Sequence, residues 1–388
     1  MNRIISTWNI NGHAWVFIAI FSIFIAQNIW VLQKGIGISN DTIRYTVSAQ
    51  KLIDGESITG KPKSYVGYSA FLALVKLATP NKYDYLKVVI VLQIIFATVA
   101  LICLYKIGQI LYSTAAALLA LAISSINYIV IQWNHYILTE SLFTSMLVIS
   151  VFLCIKTAQK PLYATIALPA VIFTTLIRPN GMILGLVFLV YLFSILKGNI
   201  KGFAVIVATI IVAISFLFII EKTQDFTQKE AGVGLLESGI IVKSNDVYYK
   251  KLKMPILGKT DASVLEYNLL YMVNYPLDTV KLIAERLYAF YFLIREDYSN
   301  RHNIFLYIVM PIYYLFTLIG IIYGLREKKR KENLLILGLI MGQTAIVAST
   351  LADHDHRYFI YIVNLITLFF SHGAISILNR LTIRKSPG

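Results

Sequence analysis

Charge is scarce in this sequence, and acid is scarcer than base. Charged residues make up 14% of 388, with 20 Asp and Glu against 35 Lys and Arg, a formal net charge of +15. An ordinary soluble domain carries about 25% charged residues, so a solvated surface of normal extent is excluded. Cysteine is almost absent. The two that occur, Cys103 and Cys154, both fall in apolar runs and read as small packing residues, which excludes a disulfide framework or a thiolate metal site. No glycine-rich phosphate loop joins a strand to a helix, and nothing in the pattern forms a cytoplasmic nucleotide-sugar domain. No small-residue cleavage site follows the first apolar run, which is expected to stay as an anchor.

What is present is hydrocarbon. Hydrophobic residues reach 57% and the mean hydropathy is +0.70. Such a chain must bury its surface in lipid, where each backbone polar group needs an internal partner and spans are helical. At about 20 apolar residues per span, ten spans are expected, near 14–33, 86–105, 110–131, 138–155, 161–177, 180–197, 202–220, 304–325, 334–350 and 358–378. A shorter run at 65–78 suits a re-entrant or interfacial helix, and the mixed charged and aromatic segment at 281–296 suits a helix lying in the interface. The fold class expected is therefore an all-α polytopic membrane protein forming one integral membrane domain over 1–388.

Lys and Arg in short loops orient the spans. "REKKRKEN" at 326–333 belongs in the cytoplasm, and 155–160, 197–201 and 379–385 agree with it. That places 34–85, 221–303 and the tight turns near 132–137, 178–180 and 351–357 outside. The inner loops then hold 14 Lys and Arg against two acids, Glu327 and Glu332. Nearly all acids lie on the outer side, so the functional face is expected there.

Four outer stretches carry chemistry. Asp41 follows Ser39 and Asn40 and precedes Tyr45, Ala49 and Leu52 at helical spacing, which predicts a short surface helix with Asp41 in its first turn. Capping alone accounts for an acid there, but the loop continues into "GKPKSYVGY", whose Lys61, Lys63 and Tyr65 suit a phosphorylated lipid headgroup. Glu140 opens a span in "TESLF", with Thr139 as its expected cap. Arg178 sits in "LIRPNG" at a break made by Pro179 and Gly181, where it either snorkels to headgroups or faces inward onto a phosphate. In "DHDHRYFIY", Asp353, His354, Asp355 and His356 would hold a divalent cation if the turn let them converge. Arg357 and Tyr358 at a helix start make a phosphate site. The lysines around Tyr248 and Tyr249 form either a solvated basic surface or a platform for a sugar acceptor. For an external loop, nucleic acid is not an expected partner.

In their order along the chain, the acid after the first span, the Lys/Pro/Tyr/Gly stretch, "TESLF", "LIRPNG" and "HRYFIY" resemble the membrane glycosyltransferases of the GT-C fold. That superfamily includes the dolichyl- and undecaprenyl-phosphate-sugar-dependent mannosyl-, arabinosyl- and aminoarabinose transferases. The resemblance implies an inverting glycosyltransferase whose donor is a polyprenyl-phosphate sugar and whose acceptor is a glycan, lipid or protein. It further implies a bacterial plasma membrane, with the active site outside the cytoplasm. It makes Asp41 the catalytic base. Arg357, Arg178, Lys63 and Tyr358 fall at the donor phosphate, and Glu140, Arg44, Tyr65 and His356 orient substrate. The chain departs from the family where Asp41-Thr42 replaces an Asp-Glu pair and Lys61-Pro62-Lys63 replaces Lys-Pro-Pro. Two other readings stay open. A transporter or flippase would favour internal repeats and mid-membrane charges, neither of which is found. A polymerase of lipid-linked polysaccharide shares the outer charges and the large loop.

Overall fold

The computed structural model describes residues 10–80, 84–195, 236–244, 247–258 and 264–384. It is mostly helical. Six helices are long and apolar enough to cross a bilayer: Ala14–Leu32, Tyr85–Leu111, Thr139–Gln159, Asn300–Arg326, Arg330–Ser349 and Arg357–Thr382. The expected span at 110–131 is broken. Thr114–Ser125 and Tyr128–His135 meet at 55°, because Ile126 and Asn127 interrupt the helix and let 132–138 turn back into the protein. Pro161–Ile177 and Asn180–Ile195 are shorter apolar helices, and the expected span at 202–220 lies outside the described residues. The chain is an integral membrane protein; of the ten spans expected, nine fall among the described residues, and there six helices, or seven with the bent pair, have the length and composition of a span.

In chain order the helices used below are α1 (Ile10–Leu32), α2 (Asn40–Ile53), α3 (Val66–Ala78), α4 (Tyr85–Leu111), α5 (Thr114–Ser125), α6 (Tyr128–Ile131), α7 (Thr139–Gln159), α8 (Ala164–Ile177) and α9 (Asn180–Ile195). They continue as α10 (Val264–Asn274), α11 (Pro276–Phe292), α12 (Asn300–Arg326), α13 (Arg330–Ser349) and α14 (Arg357–Arg384). The expected short helix at 65–78 is α3, preceded by a 3-10 turn at Lys61–Tyr65. The expected interfacial helix at 281–296 is α11, which starts earlier and stops at Phe292. One feature has no counterpart in the sequence pattern. Strands β1 (Ile240–Ser244), β2 (Val247–Lys251) and β3 (Ala352–Asp353) form a three-stranded sheet in the order β2-β1-β3. Its parallel β1–β3 contact ties Val242 and Lys243 to Ala352 and Asp353.

The helices sort into centre and rim. In α7 and α14 72% of the span is buried within the protein, against 17% in α1 and 22% in α12. α14 packs along α12 and also touches α5, α7 and α13. Its contact with α12 is a backbone approach. A Cβ on Gly320 would lie 1.9 Å from the Phe369 carbonyl oxygen, and one on Gly373 would lie 2.0 Å from that of Phe316. In lipid, where water drives no association, close packing of small residues supplies much of the helix–helix attraction. Gly320→Val should therefore push α12 off α14 and lower stability by roughly 2–3 kcal/mol, measured as a fall in the thermal midpoint of the detergent-solubilised protein. A value within about 0.5 kcal/mol of wild type, the range of an ordinary surface substitution, would show that the contact is dispensable.

Candidate active site

One end of the helical body collects the polar tips of the chain. The first loop is strapped down at Gly37, whose N–H donates to the His135 carbonyl (2.9 Å) and whose carbonyl accepts from the Ile137 N–H (3.1 Å). Only glycine fits: a Cβ there would lie 2.3 Å from the Tyr136 ring. Two residues later Ser39 and Thr42 form a reciprocal capping box that starts α2, and Thr42 Oγ1 donates to the Ile137 carbonyl at 3.0 Å. This seats Asp41 in the first turn of α2, as the sequence predicts.

The 132–138 loop is pinned from inside by amides. Gln93, fully buried on α4, donates to the carbonyls of Asn134 (3.1 Å) and Tyr136 (3.0 Å) and accepts from the Tyr68 hydroxyl at 2.9 Å. Asn134 donates to Asn28 Oδ1 at 2.8 Å and accepts from Ser141 at 2.6 Å. Helices α1, α3, α4 and α7 thus meet on one loop. Buried polar groups satisfied in this way specify a single arrangement.

The charged side chains converge on Arg357. Its guanidinium lies 3.8 Å from Asp41, 4.0 Å from Glu140, 3.9 Å from Asp353 and 3.5 Å from Asp355, and 5.2 Å from the centroid of the Trp133 ring. Arg44 holds the other side of Asp41 at 2.8 Å. Glu140 is buried and paired with buried Arg178 at 2.6 Å. Arg178 also donates to Thr139 Oγ1 at 2.5 Å and lies 5.0 and 5.8 Å from the Tyr361 and Tyr65 ring centroids. Thr139 is not the cap expected of it. Leu138 occupies the cap position without a side-chain bond, and the Thr139 hydroxyl belongs to the ion pair. Tyr65 packs on Tyr45 at 5.3 Å, Tyr358 faces Tyr361 at 6.3 Å, and Lys63 is exposed on the 3-10 turn beside them.

His356 stands behind this cluster. Its Nδ1 and Nε2 lie 3.0 Å from Arg295 and 3.0 Å from the Tyr298 hydroxyl. Burial, reinforced by the Arg295 charge, holds the imidazole well below its usual range, so Nδ1 accepts from Arg295 and Nε2–H donates to Tyr298. Arg295 escapes sequence reasoning, yet it ties two outer segments together. It donates to the carbonyls of Ala289 (2.9 Å), Ile294 (2.8 Å), Asp353 (2.8 Å) and His354 (3.2 Å), as well as to His356. Among the described residues, the two non-glycine positions with positive φ, Leu293 (59°) and His356 (60°), flank the segments it joins. Each left-handed backbone costs on the order of 1 kcal/mol, and the guanidinium clamp offsets that cost.

A cavity of ≈ 730 Å³ opens on the cluster, lined among others by Ser39, Trp133, Tyr136, Asp355, His356 and Arg357. The donor set of the 353–356 turn does not fit a resident divalent cation. Both His356 nitrogens are engaged, His354 Nε2 faces Asp297 at 3.1 Å, and no three His, Cys, Asp or Glu side chains group for a metal among the described residues. The arrangement can offer the Arg357 guanidinium to an anion at the cavity wall, with the Asp41 carboxylate 3.8 Å from it as a base.

No family model matches the chain, and no curated protein matches it. Among solved structures, the oligosaccharyltransferase of Archaeoglobus fulgidus is similar. Tethered to an acceptor peptide it aligns at TM-score 0.53 and 12% identity, over 98% of this chain and 51% of that one. Its apo form aligns at TM-score 0.53 and 13% identity, over 98% and 52%. The chain thus spans about half the length of these structures. The likeness shows the fold, which is GT-C-like.

Two outcomes follow from this geometry. Glu140→Gln leaves Arg178 buried without a counter-charge and should cost about 3–5 kcal/mol, most of it recovered in the Glu140→Leu/Arg178→Leu pair; thermal unfolding of the three proteins reads this directly. Burial pushes the Asp353 carboxyl up to about 6 from an ordinary value near 4. Its contribution to stability is therefore full below about pH 4 and is lost as pH rises through about 6, an effect on the order of 2–3 kcal/mol. Stability followed from pH 4 to 7 should fall more steeply in wild type than in Asp353→Asn, and parallel curves would refute it.

Proposed function

We propose that the protein is an inverting glycosyltransferase that moves a hexosyl or pentosyl unit from a polyprenyl-phosphate donor to a hydroxyl-bearing acceptor, on the extracytoplasmic side. The observation that carries this reading is the 3.8 Å approach of Asp41 to Arg357, whose guanidinium lines a cavity large enough for a sugar phosphate. The GT-C-like fold supports it.

In this reading the donor phosphate lies against Arg357 in the cavity, and the sugar's anomeric carbon points towards Asp41. The acceptor oxygen attacks that carbon from the face opposite the phosphate. The carbon–oxygen bond to phosphate breaks as the new glycosidic bond forms, which inverts the centre. The acceptor proton passes to the Asp41 carboxylate, and the electron pair leaves with the phosphate. A phosphate monoester anion departs readily, so the guanidinium that meets its growing charge contributes more than an acid would. Trp133 backs Arg357 and restricts its motion. Arg44 holds the Asp41 carboxylate from the solvent side, and Arg178 fixes Glu140, which sets the inner edge of Arg357. His356 lines the cavity, Tyr65 and Tyr358 pack behind the charged cluster against Tyr45 and Tyr361, and Lys63 stands exposed at the headgroup level. Segments 34–85 and 221–303 are the outer loops of this arrangement, the second serving the acceptor.

The test uses membranes supplied with a polyprenyl-phosphate sugar. Asp41→Asn should lower transfer about 10²- to 10⁴-fold, as removal of a general base does, while binding of the lipid phosphate persists. Arg357→Gln should lose both. Transfer by Asp41→Asn at the normal rate ends the base assignment, and movement of lipid across the bilayer without any glycosylated product ends the transferase reading.

A further inference from the structure

A second cavity of ≈ 710 Å³ lies on the far side of the 293–299 segment from Arg357. The two cavities share one residue, Asp297, and are otherwise walled apart by the Arg295 clamp. Opposite faces of the start of α12 line them: His302, Phe305 and Leu306 on the Arg357 side, and Asn300, Asn303, Ile304 and Tyr307 on the other.

The lining of the second cavity is divided. Ile304 and Tyr307 are 58% and 52% exposed on a membrane-crossing helix, so this side opens to lipid. Tyr288 of α11 stands opposite, in hydrogen-bond contact with Tyr307. The inner end is polar, and it offers acceptors rather than free cations. Every nitrogen of Arg295 is already bonded to a protein acceptor, and Lys250 is paired with Glu285 at 2.8 Å. Facing the cavity are the carboxylates of Glu296 and of Asp297, the latter already against His354 Nε2 at 3.1 Å, and the amides of Asn300 and Asn303. Asn303 adds packing rather than a free group: its Nδ2 is bonded to the carbonyls of Arg295 and Tyr298, and its Oδ1 is buried out of reach of the cavity.

An acceptor-rich end repels a phosphate and suits a donor-rich group, and two tyrosine faces at the lip suit the C–H faces of a sugar ring. We propose that this cavity binds the saccharide headgroup of a membrane-borne glycolipid, entering sideways from the outer leaflet. Naming that glycolipid as the acceptor rests on the transferase reading above; the binding itself does not. Asp297, common to both cavities, then marks where the two substrates come nearest.

The test uses the full chain in phosphatidylglycerol nanodiscs and dodecyl maltoside carrying a diazirine in its alkyl chain. Photolabel should map to peptides containing Tyr288 and residues 300–307, and excess unlabelled dodecyl maltoside should remove it. Dodecyl phosphate and dodecylammonium should not. Asn300→Leu and Tyr307→Leu should each lower labelling about five- to tenfold, the loss of one good contact. Asp41→Asn should leave labelling unchanged, so failure of the transferase reading and failure of this one are separable. Labelling spread evenly over α1 and α4, competition by dodecyl phosphate or dodecylammonium equal to that by the maltoside, or undiminished labelling in both variants would overturn the proposal.

Discussion

Two buried charges of opposite sign constrain where separate segments of this structure can meet. Glu140 and Arg178 are 2.6 Å apart and nearly inaccessible. Neither could stay there alone, since the desolvation of an unpaired ion costs several kcal/mol. Their union therefore dictates that the start of α7 and the break between α8 and α9 meet at one depth. Pro179 and Gly181 make the break that brings Arg178 there. Once Glu140 is fixed, its carboxylate sets the inner limit of Arg357 and thereby the start of α14. The amide cluster around Gln93 and Asn134 performs the same service one layer away, holding the loop that presents Trp133 to the same guanidinium.

Sequence reasoning reaches the tips of this arrangement and misses its supports. Asp41, Glu140, Arg178 and Arg357 stand out because a charge beside an apolar run is conspicuous, and because capping residues or helix breakers flank each of them. Their convergence on one end follows from orientation by loop charge. Gln93 and Asn134 are invisible for the opposite reason. An amide inside a span reads as noise until the loop it holds is known. Arg295 hides inside a pattern that reads as the tail of an interfacial helix. That helix stops at Phe292 because Leu293 adopts a left-handed backbone, a turn usually announced by glycine. Its cause is the distant 353–356 turn, 58 or more residues on, whose carbonyls Arg295 binds. The broken span at 110–131 fails for a similar reason. Ile126 and Asn127 interrupt the helix, and the hydrogen bonds of Asn134 and of the Tyr136 carbonyl then hold 132–138 against the protein.

The charge balance of the cluster bears on how an anion could enter it. Four carboxylates, Asp41, Glu140, Asp353 and Asp355, surround Arg357, with Arg44 and Arg178 as the further cations in contact. Three guanidiniums against four acids leave an excess of one negative charge before any substrate arrives. A phosphate would deepen that excess, and like charges in a partly buried site repel strongly. The excess is relieved most cheaply by one proton. Glu140 is committed to Arg178, whereas burial has already pushed the Asp353 carboxyl up to about 6. Each further negative charge brought near it raises that value. Burial of Asp353 and the excess of negative charge around it act in the same direction, both favouring its protonated form. Its carboxylate accepts from the backbone N–H groups of Asp355 and Arg357, which ties it to the residue that also starts α14. The same turn caps the helix, carries the cation and buffers its field, so a change at any one of the three is felt by the others.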